Sequence, residues 1–203
     1  MFGYGFVEKK DMMYRLFFLM LIVLLAGCEK SAPRFHAGDV TGQFPQADFH
    51  LIDHNGKPRT LTDFRGKVVV LFFGYTHCPD VCPTKLADLA QTLRLLGKEA
   101  EKVQVLFVTL DPERDTRELL AKFVPSFDSS FLGLYGDATV TATAAERFSL
   151  DYHKHPTKSG YTLDHGTFTY LFDTQGRLRL MAGYHQPADM LADDIRLLWA
   201  STQ

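Results

Sequence analysis

Two cysteines in the segment GYTHCPDVCPT, residues 74–84, have the types and spacing that redox or metal chemistry requires. Cys78 and Cys82 follow an apolar run at residues 67–73, which predicts a buried central strand. The carboxyl edge of such a strand is where open α/β sheets form their sites. A helix is predicted to begin with Pro83 at its first position and Cys82 as the preceding cap. The amide dipoles of that helix start would favour a thiolate over a thiol.

The four-residue spacing of these cysteines limits the arrangements they can adopt. Residues four apart on a regular helix keep their Cβ atoms about 5–6 Å apart, whereas a disulfide needs about 3.5–4.5 Å. Cys78 and Cys82 are therefore predicted to lie on a loop, where they can form a redox dithiol/disulfide pair or converge on one metal ion. A pair of inert buried thiols, or a plain stabilising disulfide, is the alternative.

The periodicity of the chain predicts a single α/β domain around this segment. Continuous or alternating apolar runs predict strands, and apolar residues three and four apart predict helices. In chain order, we expect a hairpin at 47–61, a strand at 67–73, a helix at 83–97, a strand at 103–110, a helix at 115–124, a strand at 131–135, a helix at 139–150, a hairpin at 167–182 and a helix at 187–199. This order predicts a thioredoxin-like sandwich with an N-terminal hairpin, a central mixed sheet and flanking helices.

A distant histidine is the third candidate for the site. His165 directly precedes the predicted hairpin strand at 167–172, whose start faces the redox loop in a thioredoxin-like fold. Two thiolates and one imidazole suit Cu(I), a soft ion, and can also hold Cu(II). A structural Zn²⁺ would want a fourth protein ligand, which Asp164 could supply. We expect instead that the fourth position is open or occupied transiently.

The first 45 residues are expected to deliver and tether the domain. Residues 1–27 are typical of a signal peptide, with a basic start and an apolar run at 16–26 that is far shorter than the roughly 20 residues of a membrane-spanning helix. The run ends in LAGC, which is similar to the bacterial lipobox and predicts lipidation of Cys28. Residues 28–45 are predicted to be a tether and residues 46–203 the domain. The protein would thus be lipid-anchored in a bacterial cell envelope, with its domain on the periplasmic side.

Composition and charge exclude several other classes of protein. Lys and Arg total 22 against 24 Asp and Glu, without basic runs, so the chain has no electrostatic footprint for nucleic acid. A hydrophobic content of 46% argues against disorder. Three cysteines are too few for a disulfide-stabilised scaffold.

Three ordered motifs together resemble the Sco (SCO1/SenC/PrrC) family. They are GYTHCPDVCP at 74–83, DPERDT at 111–116, and Asp164-His165 ahead of YLFD at 170–173, and the resemblance spans roughly residues 40–200. It implies a membrane-tethered, thioredoxin-like metallochaperone that binds copper and helps to assemble the dinuclear copper centre of cytochrome c oxidase. The family's copper ligands fall on Cys78, Cys82 and His165. The implied partner is the copper-site subunit of the oxidase or another cuproprotein.

Two enzymatic alternatives use the same cysteines. A thiol–disulfide oxidoreductase could reduce the cysteines of a cuproprotein partner, but such exchangers usually carry Cys-x-x-Cys and a cis-Pro where this chain has Thr167. Both differences favour metal binding without excluding reduction of one cognate partner. A peroxiredoxin-like peroxidase would want Pro seven residues and Thr or Ser three residues before Cys82. Those positions hold Tyr75 and Pro79, so the sequence argues against a peroxidase.

The remaining polar residues near the motifs are expected to play supporting parts. The block at 111–116 should order a loop that borders the site, with Asp115 as a helix cap. Asp80 should contact loop amides or Lys85, and Asp164 should orient His165 as a hydrogen-bond acceptor.

A polar segment at 153–160 is predicted to be an exposed hairpin loop. Its two histidines, His153 and His155, are candidates for an accessory metal or docking site.

Overall fold

The strand that precedes the cysteines lies at the centre of the sheet. β4 (Val68–Gly74) has seven residues, all of them buried, which matches its continuous run of apolar side chains. It pairs in parallel with β5 (Val103–Thr109) and antiparallel with β9 (Thr169–Phe172). The sheet is therefore mixed, as predicted.

A computed structural model describes residues 14–15, 33–158 and 160–201. Cys28 and nearly all of the predicted signal peptide lie outside these residues. Within the described ranges, no helix is long and apolar enough to cross a membrane. The residues from Phe35 onward cluster into one unit.

Ten strands, four α-helices and three short 3-10 helices are present in the described residues from 33 onward. The main sheet has the order β1-β10-β9-β4-β5-β6-β2-β3, and β7 and β8 form a separate two-stranded sheet. The other bounds are β1 Gly38–Asp39, β2 Leu51–Asp53, β3 Pro58–Arg59, β6 Leu132–Tyr135, β7 Tyr152–Thr157, β8 Gly160–His165 and β10 Leu178–Ala182, with helices α1 Val81–Leu96, α2 Arg117–Phe123, α3 Ala138–Arg147 and α4 Ala188–Ala200. The predicted elements are thus found, with ends that differ by a few residues.

Phenylalanine rings fill the interior beside the site strand. Phe73 and Phe148 pack edge to face with ring centroids 5.1 Å apart, and Phe148 makes a similar contact with Tyr170. Such pairs contribute about 0.5–1.5 kcal/mol beyond the burial of their area. They fix the end of β4 from which the cysteine loop leaves.

Part of the predicted tether belongs to the folded unit. Gly38–Asp39 form β1 and pair with β10, and Ala37 and Val40 are buried. The buried carboxylate of Asp194, in α4, accepts hydrogen bonds from the backbone N–H groups of His36 (2.7 Å) and Ala37 (2.9 Å). The folded domain therefore begins before residue 46, the start that the sequence indicated.

The segment at 153–160, expected to be an exposed hairpin loop, is exposed and belongs to a hairpin, but its residues up to Thr157 form a strand. β7 and β8 pair antiparallel from Tyr152 opposite His165 to Thr157 opposite Gly160. Every β7 side chain is exposed or half-buried, so the strand lacks the apolar alternation that would have identified it. His165 is consequently the last residue of a strand and not a loop residue.

Candidate metal centre

The cysteines lie where β4 passes into α1. Cys78 follows the end of β4 and is half-buried, while Cys82 is completely buried in the first turn of α1; both are free thiols. The backbone N–H of Cys82 donates to Sγ of Cys78 at 3.4 Å. The N-terminal end of the helix thus contributes a hydrogen bond to the sulfur that precedes it.

The predicted helix start was wrong by two residues. α1 begins at Val81, so Cys82 is a helical residue and Pro83 occupies the third helical position. Proline is tolerated there because the first four backbone N–H groups of a helix have no partner within the helix. Only Cys78 therefore lies on the loop to which the sequence assigned both cysteines.

The two thiols have opposite tendencies to ionise. The pKa of Cys78 falls to about 5, chiefly because the Cys82 thiol donates a hydrogen bond to it, with further bonds from the backbone at Asp80, Val81 and Cys82. The pKa of Cys82 is raised, because its proton is held by Cys78 and because its burial penalises the charged form. The pair therefore consists of a thiolate at Cys78 and a thiol at Cys82 at neutral pH.

His165 reaches the cysteines from the end of β8. Its Nε2 atom lies 3.7 Å from Sγ of Cys82. Its Nδ1 atom lies 2.8 Å from the carbonyl oxygen of Gly166, which can only accept, so Nδ1 carries the proton and Nε2 keeps its lone pair in the neutral ring. The rings of Phe72 and Tyr75 pack edge-on against the imidazole at 6.2 and 6.1 Å. The structure thus brings the three predicted site residues together.

Gly74 is a site residue that the sequence reasoning missed. A Cβ atom at this position would lie 2.9 Å from Sγ of Cys82 and 2.8 Å from the ring of Phe107. The space that Cys82 occupies therefore depends on the absence of a side chain at the end of β4. The signal was a glycine closing a strand of otherwise large apolar residues.

Asp115 holds the cysteine loop and does not cap a helix, so the predicted capping role is wrong. Its buried carboxylate accepts from the backbone N–H (2.9 Å) and hydroxyl (2.6 Å) of Thr76, and from the hydroxyl of Thr109 (2.6 Å). The cap of α2 is Thr116, whose hydroxyl oxygen accepts from the backbone N–H of Leu119. The expectation that this block orders a loop bordering the site is confirmed.

Asp111 and Arg114 hold the hairpin that carries His165. The Tyr161 hydroxyl, in β8, donates to Asp111 at 2.6 Å, and the Arg114 side chain donates to the other Asp111 oxygen at 2.5 Å and to the Tyr161 carbonyl at 2.9 Å. The loop between β5 and α2 therefore contacts both the cysteine loop and the histidine hairpin.

A second group of potential ligands stands beside this loop. Side-chain atoms of His77, Asp111 and Asp115 lie within 4.8 Å of one another. Both carboxylates already accept hydrogen bonds on each of their oxygens, those of Asp111 coming from Tyr161 and Arg114. We conclude that these carboxylates serve as buried acceptors that shape the site.

The side chains of Asp80 and Lys85, predicted as possible partners of each other, have other partners in the structure. Asp80 accepts from the hydroxyl of Thr84 at 3.3 Å, whereas the amine of Lys85 donates to the carbonyl of Tyr184 at 2.6 Å.

Asp164 pairs across the hairpin with Nε2 of His155 at 2.9 Å, so the prediction that it orients His165 is wrong. Adjacent residues of a strand point to opposite faces, which separates its carboxylate from the His165 ring.

Comparison with known proteins identifies close relatives. The family model described as SCO1/SenC matches residues 39–200. The chain is 39% identical over 155 residues to the Homo sapiens protein named "Protein SCO2 homolog, mitochondrial", a match that covers 74% of this chain and 58% of that protein. The chain spans less than two thirds of the length of this relative and of its Mus musculus counterpart.

Solved structures show the same fold. Bradyrhizobium japonicum ScoI with copper bound superposes with a TM-score of 0.70 at 39% identity, covering 75% of this chain and 98% of that one. Arabidopsis thaliana ScoI with copper bound gives a TM-score of 0.70 at 30% identity, covering 74% and 96%. The predicted thioredoxin-like fold is confirmed.

Proposed function

The chain belongs to the SCO1/SenC family, and from this membership we propose that it binds copper and takes part in assembling the copper centre of cytochrome c oxidase or of another cuproprotein. Copper is held by Cys78, Cys82 and His165. Two of the solved relatives are described as having copper bound, which supports this choice of metal. Two thiolates and an imidazole are the donors that a soft or borderline ion such as copper prefers.

One distance carries the ligand assignment. Nε2 of His165 and Sγ of Cys82 lie 3.7 Å apart, although 83 residues separate them in the chain. Metal bonds of about 2.3 Å to sulfur and about 2.0 Å to nitrogen, meeting at roughly 110–120°, place the two ligand atoms about 3.5–3.7 Å apart. Both atoms can therefore bind one ion with little movement of the backbone.

The unequal protonation of the cysteines prepares the site for metal. The pKa of Cys78 is lowered to about 5 by the Cys82 thiol and the nearby amides, so this sulfur is a thiolate before the ion arrives. Cys82 keeps its proton, because its pKa is raised, and releases it when the metal binds. Loading near neutral pH should thus release about one proton for each ion.

Delivery of the ion requires access for a partner's ligand. Cys78 is half-buried and Cys82 is fully buried, so an incoming donor meets Cys78 first. A set of three protein ligands leaves a further position for that donor. Lipidation at Cys28 would hold the domain at the surface of a bacterial envelope membrane, facing the periplasm, where such an acceptor would lie.

Reduction of a partner's cysteines is a second candidate function. A thiolate beside a protonated thiol is the arrangement that thiol–disulfide exchange uses. Cys78 would attack a partner disulfide to give a mixed disulfide, and Cys82 would then displace the partner. The chain would end as the Cys78–Cys82 disulfide, while the partner would gain two thiols. The depressed pKa of Cys78 favours this reaction.

The proposal is tested by anaerobic titration of the full chain with Cu(I), in competition with a chromophoric chelator, and with Cu(II). Cys78→Ala, Cys82→Ala and His165→Ala should each abolish tight binding while leaving the far-ultraviolet circular dichroism unchanged. His50→Ala, which replaces an exposed histidine elsewhere, is the matched control.

Tight copper binding by His165→Ala would reject the ligand assignment. Rapid reduction of a partner's disulfide by a chain that binds no copper would favour the second function.

A further inference from the structure

The β7–β8 hairpin has two faces of different character. On the inner face, Tyr161 contacts Asp111 and Arg114, and Lys154 pairs with Glu113 at 2.6 Å. These contacts fix the hairpin against the loop between β5 and α2. The outer face therefore belongs to a hairpin that is held in place by tertiary contacts and not to a free loop.

Three potential metal ligands lie together on the outer face. His153 and His155 are two residues apart on β7, so their side chains point to the same side of the strand. In the β7–β8 register, His153 stands directly opposite Asp164, and directly opposed residues have Cβ atoms about 4.5–5.5 Å apart. The two imidazoles and the carboxylate thus occupy neighbouring positions.

Two of these three groups are already in contact. Nε2 of His155 lies 2.9 Å from a carboxylate oxygen of Asp164, and their side chains are 54% and 75% exposed. His153 is exposed and stands opposite Asp164 in the strand register, so its imidazole lies on the same face as the other two groups. A hydrated ion can reach the group from solvent without opening the fold.

We propose that the outer face of the hairpin binds one divalent transition-metal ion, with Cu(II) preferred over Zn(II), through His153, His155 and Asp164. Two neutral imidazoles and one carboxylate form a borderline N₂O donor set, and Cu(II) is the divalent first-row ion that such donors bind most strongly. Water completes the coordination, since the face is open to solvent.

This site is separate from the proposed copper site formed by the two cysteines and His165. Asp164 and His165 are adjacent, and adjacent strand residues point to opposite faces. The imidazole of His165 turns inward to Cys82, whereas the carboxylate of Asp164 turns outward to His155. The outer site therefore does not depend on the function proposed above.

The test removes the inner site first. The full chain carrying Cys78→Ser and Cys82→Ser, without an added histidine tag, is titrated with Cu(II) and followed by calorimetry and electron paramagnetic resonance. One equivalent should bind, with hyperfine splitting from two imidazole nitrogens. Adding His153→Ala or His155→Ala should weaken binding at least about tenfold and leave splitting from one nitrogen, whereas adding His50→Ala should change neither.

Three results would overturn the proposal. They are the absence of a saturable Cu(II) equivalent in the chain carrying Cys78→Ser and Cys82→Ser, an affinity that neither His153→Ala nor His155→Ala lowers in that chain, or loss of the equivalent with His165→Ala instead. Zn(II) displacing Cu(II) at equal concentration would refute the stated preference. Circular dichroism of each variant establishes that the fold is intact.

Discussion

Replacement of Gly74 by alanine tests the steric basis of the site. The new Cβ would lie 2.9 Å from Sγ of Cys82 and 2.8 Å from a ring carbon of Phe107. Non-bonded heavy atoms prefer about 3.5–4.0 Å, so the sulfur or the ring must retreat by roughly 0.6 Å or more. Both neighbours are fully buried in packed surroundings, which leaves little room for that movement.

The effect of Gly74→Ala should appear in both stability and metal affinity. Forcing a methyl group into a packed core costs about 1–3 kcal/mol of unfolding free energy, and each kcal/mol lowers the Tm of a domain of this size by about 2–4 °C. Metal–ligand distances in a formed site lie within about 0.2 Å of their ideal values. A shift of the Cys82 sulfur beyond that limit should weaken Cu(I) binding by at least about tenfold.

The assay compares Gly74→Ala with Gly183→Ala by denaturant unfolding of the copper-free protein and by chelator competition for Cu(I). Gly183 is a matched control because a Cβ there meets no atom within 4 Å. A variant that loses stability but keeps its Cu(I) affinity would refute the predicted displacement of the Cys82 sulfur and place the strain on the Phe107 ring instead. Unchanged stability would refute the steric argument itself.

Three further predictions concern the groups around the site and the anchoring of the N-terminal segment. Tyr161→Phe removes a 2.6 Å hydrogen bond to the buried Asp111, so it should lower the free energy of unfolding by about 1–3 kcal/mol and weaken copper binding. Tyr152→Phe in the same hairpin should do neither, and equal effects of the two substitutions would contradict the role of Tyr161 in positioning the hairpin. The rate of iodoacetamide alkylation at Cys78 in the copper-free protein should be half-maximal near pH 5 and should decrease at lower pH. The pH of half-maximal rate should be higher in Cys82→Ala, and a midpoint near pH 9 in the unmodified chain would contradict the presence of a thiolate at Cys78. Asp194→Asn should accelerate hydrogen exchange at the backbone N–H groups of residues 36 and 37 and destabilise the fold by about 1–3 kcal/mol. The reason is that the side-chain amide of asparagine has only one acceptor oxygen, whereas the carboxylate accepts on both of its oxygens.

Elements with a strong local pattern could be predicted from the sequence. The run at 67–73 is apolar on both faces, and only a strand covered on both sides buries it, as β4 does. The leucine stripe of α1 and the hairpin of β9 and β10 were likewise correct within a few residues. In each case the information lies within one short segment.

Features that depend on distant partners could not be predicted. Asp115 stands where a local pattern indicates a helix cap, but Thr76, 39 residues earlier, takes its carboxylate instead. The 158-residue separation between His36 and Asp194 likewise hides the anchoring of the N-terminal segment. A carboxylate next to a helix start has several acceptable partners, and tertiary packing decides among them.

The three residues that meet at the candidate site were predicted by their types, whereas the asymmetry of the two cysteines was not. The sequence placed both cysteines on a loop, yet Cys82 lies within the helix and is buried, while Cys78 lies on the loop before the helix and is half-buried. The hydrogen bond that the Cys82 thiol donates to Cys78, together with the burial of Cys82, raises the pKa of Cys82, and the same hydrogen bond lowers the pKa of Cys78. The more reactive sulfur is thus also the more accessible one. For copper transfer and for thiol exchange alike, a partner must therefore engage Cys78 before Cys82.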